Sequence, residues 1–175
     1  MIVRDATRAD IANLSRVEMT ATRAAYAETL LTEAAPAFGI EESFEAWNWI
    51  FDCMATENNF VLAAFGVGDE LTGFISAGPE RTGDPIYIGE VYDLSVAPTY
   101  HRLGIGRQLI LAAAQTFLDR GIESMIVSAW AKSARTCGLY TSVGGYPIRL
   151  GRAEISSEFF DIITYGWRNI SSINK

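Results

Sequence analysis

The chain has 175 residues, 49% hydrophobic and 20% charged, enough for a single domain over residues 1–175 with a sizeable core. A formal charge of −7 and a pI of about 4.7 argue against a broad grip on nucleic acid, which needs a basic face, and favour neutral or cationic partners. Charges at Arg4, Asp5, Arg8 and Asp10 interrupt the N-terminus, no run approaches a membrane span, and the expected setting is cytoplasmic, away from membranes.

In chain order, "MIVR" reads as a short first strand. Thr7 and Asp10 have capping-box spacing and open a helix near Ala9 that continues through "TATRAAYAETLL". "TEAAPAFGIEES" carries Pro36 and Gly39 and is expected as loop, after which Ser43 caps a segment whose Phe44, Trp47, Phe51 and Met54 recur at helical spacing. That spacing places Trp47 and Phe51 in a core and leaves Trp49 exposed. "FVLAAFGV", "LTGFISAG" and "IYIGEVYDLSV" are strands separated by the turn-formers "GDE" and "PERTGD", and Pro98 closes the third. Residues 104–120 make the most regular helix, with Ile105, Leu109, Ala112 and Ala113 on one side, ended by Gly121. The strand "IESMIVSAW", a helix from about Lys132 to Ser142, and strands near "YPIRL" and "EFFDIITYGW" complete the chain. Hairpins around one strand–helix–strand crossover imply a mixed α/β sheet, mostly antiparallel with one locally parallel pair. Cys53 and Cys137 stand far apart without a His/Cys neighbourhood, so neither a metal site nor a disulfide framework is expected, only two buried thiols.

"YHRLGIGRQLI" opens the regular helix. A helix N-terminus exposes unpartnered N–H groups and a partial positive charge. Gly104 and Gly106 remove side chains that would hold an anion off, and Arg102 and Arg107 add charge, so a phosphate or pyrophosphate would fit. The same glycines could instead simply make a tight turn. A dinucleotide fingerprint would need glycine where Leu109 stands, and a Walker loop needs Gly-Lys followed by Ser or Thr; both are absent.

"LSVAPTYHRLGIGRQLI" resembles the acetyl-coenzyme A signature of the GCN5-related N-acetyltransferase (GNAT) superfamily, and the order of elements resembles that family along nearly the whole chain. His101 stands where the family has Gln or Arg, and Ser133 where many members have Asn. The resemblance implies a GNAT-like fold and an acetyl-CoA-dependent N-acetyltransferase that needs no metal. It assigns the backbone at Arg102, Leu103, Gly104, Ile105, Gly106 and Arg107 to the pyrophosphate, the strand at Leu94, Ser95 and Val96 to the pantetheine arm, and a cofactor contact to Ser133. Tyr140, in "GLYTSVGGY", falls where the family often has a tyrosine that donates to the departing thiolate; the residue alone reads as a core aromatic, and with the resemblance it is the candidate acid.

Amine acetylation also needs a base. Strand alternation puts Ile86, Ile88, Glu90, Tyr92, Leu94 and Val96 on one face, so Glu90 interrupts an apolar row, while Asp93 lies on the other face. A half-buried carboxylate has a raised pKa suited to taking a proton. Glu90 is therefore the candidate base and Asp93 its understudy; a bulge inverting the register, a structural partner for Glu90, or a role in binding the acceptor's ammonium are alternatives. The acceptor is expected to be a primary amine on a small molecule or peptide, with the acidic balance favouring a cationic one such as a polyamine, an aminoglycoside or a lysine side chain. The resemblance makes a homodimer an expectation. A catalytically silent CoA-binding or sensory module of the same fold is the alternative function.

Overall fold

Apolar residues drawn to one side of each helix, and β-branched or aromatic runs punctuated by Gly and Pro, account for the elements observed in this computed structural model, which describes residues 1–28, 39–155 and 158–173. The strands are β1 (Ile2–Asp5), β2 (Phe60–Phe65), β3 (Leu71–Pro79), β4 (Gly89–Val96), β5 (Met125–Trp130), β6 (Tyr146–Ile155) and β7 (Glu158–Trp167). The helices are α1 (Ile11–Glu28), α2 (Ile40–Glu57), α3 (Ile105–Asp119) and α4 (Ala134–Ser142). One seven-stranded sheet runs in the order β1-β2-β3-β4-β5-β7-β6, and β4 with β5 is its parallel pair. The mixed sheet expected from the sequence is therefore present.

Two apolar cores cover the two faces of the sheet. On one face α3 and α4 bury Leu109, Phe117 and Tyr140 against Ile75, Val91, Val127 and Tyr165. On the other, α1 and α2 bury Leu14 and Trp47 against Val61, Ala63 and Phe74, Trp47 meeting Phe74 edge-on at 5.0 Å. Each such fully buried side chain contributes roughly 1.5–3 kcal/mol relative to exposure. Phe51 packs on the second core, and Trp49 is 62% exposed, as its helical phase requires.

Local chemistry shifts several expected boundaries. The Thr7 N–H and hydroxyl both donate to Asp10, which also takes two hydrogen bonds from Arg4, and a 3-10 turn at Arg8–Asp10 precedes α1. The loop expected around Pro36, and the end of the first helix, fall outside the described residues. Ser43 does not cap α2: the helix begins at Ile40 after an extended Gly39, and the fully buried Ser43 hydroxyl donates to Glu18 instead. Residues 86–88 are not strand, because Asp84 takes the Ile86 and Tyr87 N–H groups and the Ser124 hydroxyl takes that of Ile88. Both cysteines are free thiols, but half-buried rather than buried.

The alternation read along β4 is also overturned. Ser76 pairs with Asp93 and Ala77 with Val91, so Tyr92 is an extra residue, a β-bulge. A bulge inverts the faces beyond it. Val91, Leu94 and Val96 consequently all pack with the α3 core, and Glu90 does not share their face.

Candidate active site

The bulge sits where the parallel pair comes apart. β4 and β5 are paired only over Gly89–Met125, Glu90–Ile126 and Val91–Val127. Beyond that point β4 continues to Val96 and β5 to Trp130 as separate edges. A cleft of about 830 Å³ passes through the gap. It is lined from the α3 face by α3 and α4 and from the opposite face by α1, with β4 and β5 as its walls.

At the α3 end, Arg102 and Gly104 both have left-handed backbone, φ 66° and φ 79°. This conformation is why glycine stands at 104. No side chain caps α3, and its first intrahelical bond runs from Gln108 N–H to Gly104 O at 3.1 Å, so the amides of 105–107 precede the ladder. Those amides, with Arg102 and Arg107 on the cleft lining, give this end of the cleft unpartnered N–H groups and positive charge. Leu103 is 65% exposed and does not line the cleft. Gly106 has a different cause from Gly104: a Cβ there would come within 3.0 Å of Leu139 Cδ2, so it permits α3 and α4 to pack closely.

His101 adopts a role that its position in the sequence did not reveal. Arg135 Nη1 donates to its Nδ1 at 2.6 Å, which leaves Nε2–H to donate to Val96 O at 2.9 Å. The imidazole thus ties the end of β4 to the first turn of α4 along the cleft. Ser133 lines the cleft too, but its hydroxyl caps α4, accepting from Thr136 N–H at 3.4 Å and donating to Thr136 Oγ1 at 2.9 Å.

The two carboxylates of β4 have different surroundings. Glu90 lies outside the cleft lining. Arg81 grips it through Nε at 3.0 Å and Nη2 at 2.8 Å, with the Arg81 N–H adding a third bond at 3.2 Å. Asp93 lies on the cleft wall, with the Ser95 hydroxyl 3.2 Å from its Oδ2. Desolvation, assisted by the charge of Glu18, pushes the Asp93 carboxyl up to about 6 against the opposing hydrogen bonds from Ser95 and Leu94. Tyr140 is buried on the cleft wall, its ring 5.6 Å from Tyr165 and 6.3 Å from Trp167. Burial first, and then the charge of Asp93, raise its hydroxyl well above the usual phenol range. The cleft therefore brings together the expected Tyr140, Leu94–Val96 backbone and α3 entrance with Asp93, while Glu90 is turned away. Among the described residues no cluster of His, Cys, Asp and Glu is grouped to hold a metal, and no helix is long and apolar enough to cross a membrane.

Residues 24–145 match the sequence model of the acetyltransferase (GNAT) family. The chain belongs to the GNAT family. This GNAT chain is 24% identical over 174 residues to YuaI of Bacillus subtilis (strain 168), described as an uncharacterized N-acetyltransferase, spanning 98% of this chain and 95% of the relative. Its fold is similar to that of the ribosomal-protein-alanine N-acetyltransferase of Brucella melitensis, with a TM-score of 0.76 and 21% identity over 95% of this chain and 99% of the other. It is likewise similar to yncA of Salmonella typhimurium, solved with its cofactor acetyl-CoA, with a TM-score of 0.73 and 20% identity over 95% of this chain and 92% of that one.

Proposed function

We propose that the chain transfers acetyl from acetyl-CoA to an amine by direct attack within one ternary complex. The observation that carries this reading is a cleft that passes through the sheet, with helix-terminal amides and arginines at one end and Asp93 and Tyr140 on its walls. The family and the relative solved with acetyl-CoA support the choice of donor. The residues fit that donor: the amides of 105–107 with Arg102 and Arg107 suit a pyrophosphate, and the β4 edge from Tyr92 to Val96, unpaired on its β5 side, suits an extended amide chain added as a strand. When bound, acetyl-CoA supplies the activated acetyl thioester.

The other roles fall to the protein. Asp93 replaces Glu90 as the proposed base, because it reaches the cleft and its raised pKa lets it accept a proton near neutral pH. Attack on a thioester carbonyl requires a neutral amine, so Asp93 takes the proton that the ammonium gives up. The β4 edge supplies N–H donors for developing negative charge on oxygen. Tyr140 keeps its proton throughout the working pH range and stabilises a thiolate by hydrogen bonding, since full transfer from so weak an acid is uphill. Calorimetric titration with acetyl-CoA, ATP and NAD, followed by an assay of thiol release with an amine panel, tests the proposal. Saturable binding of acetyl-CoA alone with amine-dependent thiol release supports the enzyme. Binding without release supports the silent module, and no binding sinks both.

A further inference from the structure

The acceptor end of the cleft has a composition that the net charge of the chain does not suggest. β5 and β7 are paired Ser128 with Thr164 and Trp130 with Ile162, while Val127 and Ala129 point into the α3 core. Ser128, Trp130 and Ile162 therefore share the opposite face, toward α1. There they line the cleft with Tyr26 of α1, Ala153 of β6 and Asp93 of β4. Among the described lining residues on that side, Asp93 is the one carrying charge; Arg102, Arg107 and Arg135 belong to the α3 and α4 end. Glu18, whose charge reaches Asp93, does not line the cleft, and its Oε2 accepts from Ser43 and from Trp47 Nε1.

Trp130 is held from two directions. Its ring meets Phe160 edge-on, with centroids 5.5 Å apart and planes at 84°. Its carbonyl accepts from Ser133 N–H at 2.9 Å and from Cys137 Sγ at 3.6 Å. A braced indole presents a flat apolar surface that favours rings and CH groups.

From this we infer that the acceptor is a monoamine whose nitrogen is carried on a small apolar or aromatic body. The inference rests on the acetyl-transfer reading for the word acceptor, and it narrows the amine class. One carboxylate pairs one ammonium, and each further ammonium brought into the cleft would lose water without gaining an anionic partner. Polyamines and aminoglycosides carry several, and among the described residues the overall charge of −7 supplies no further carboxylate to the cleft lining.

The test uses the full chain with 2-phenylethylamine and spermidine as probes, each titrated calorimetrically with and without CoA. The expected result is tighter binding of 2-phenylethylamine by about tenfold, the scale of one well-placed aromatic contact. Trp130→Ala should erase that margin while CoA affinity stays unchanged. Ala153→Glu, which adds a second carboxylate without removing a ring, should shift the preference toward spermidine and serves if Trp130→Ala does not fold. Equal or tighter binding of spermidine, or binding of neither amine, overturns the inference. Selective binding of 2-phenylethylamine by a chain that does not bind CoA would sink acetyl transfer and leave the amine selectivity standing.

Discussion

Arg81 and Glu90 form a two-pronged ion pair, Nε to Oε2 at 3.0 Å and Nη2 to Oε1 at 2.8 Å, and the same guanidinium lies 4.0 Å over the ring of Tyr92, the bulged residue. The pair pins the loop after β3 onto the strand at the point where the sheet splits. Glu90 is thus committed to holding the bulge in place. Glu90→Gln keeps its shape and part of its bonding, so the expected outcome is a stability loss of about 1 kcal/mol with kcat for the best amine essentially unchanged. Turnover lost to the same degree as in an Asp93 variant would return the base role to Glu90.

Asp93 should govern the acid limb of the rate profile. With its carboxyl pushed up to about 6, kcat/KM is expected to climb with pH and level off above that value. Asp93→Asn removes the limb and lowers turnover by roughly 10²–10⁴-fold. The stability effect has the opposite sign. A folded-state pKa above the unfolded value means that the native state holds its proton more tightly, so stability declines as pH rises from about 4 through about 6. Thermal melts should therefore show Asp93→Asn gaining on the parent at pH 7 and losing that gain at pH 4.

The succession of strands along the chain, the helix entrance at Gly104 and the core phase of α2 were legible because each has a local signature: apolar runs bounded by turn-formers, a glycine opening a helix, helical spacing. The site's carboxylate was not. Tyr92 is indistinguishable in sequence from any strand aromatic, yet as a bulge residue it takes Glu90 off the face of Leu94 and Val96; Glu90 stays in the stretch paired with β5, and Asp93, beyond it, lies on the cleft wall. Ser43 was misread for a related reason, since a serine before a helical run suits a cap equally well as a buried donor to a distant Glu18. Contacts across more than 25 residues, such as that between His101 and Arg135, leave no trace in spacing.

Tyr140→Phe separates a structural ring from a functional hydroxyl. The ring contacts with Tyr165 and Trp167 survive the change, so the melting temperature and CoA affinity should hold. A hydrogen bond to a thiolate is worth about 1.5–3 kcal/mol, which predicts a fall in kcat of roughly 10- to 100-fold. Unchanged kcat at saturating substrates would leave Tyr140 as a core aromatic.

The two glycines of the helix entrance should respond differently to alanine. At Gly104 a Cβ would meet nothing within 4 Å, and the cost is only that of a left-handed backbone, about 1 kcal/mol. At Gly106 a Cβ would stand 3.0 Å from Leu139 Cδ2, one residue before Tyr140. Relief of that contact moves α4, and with it the Tyr140 hydroxyl, relative to the β4 edge. Gly104→Ala is therefore expected to lower the melting temperature with kcat retained, whereas Gly106→Ala lowers kcat more than it lowers stability. Parallel melts and single-turnover rates on the two variants decide it, and an equal loss of kcat in both would mean that the entrance acts as one unit on the cofactor.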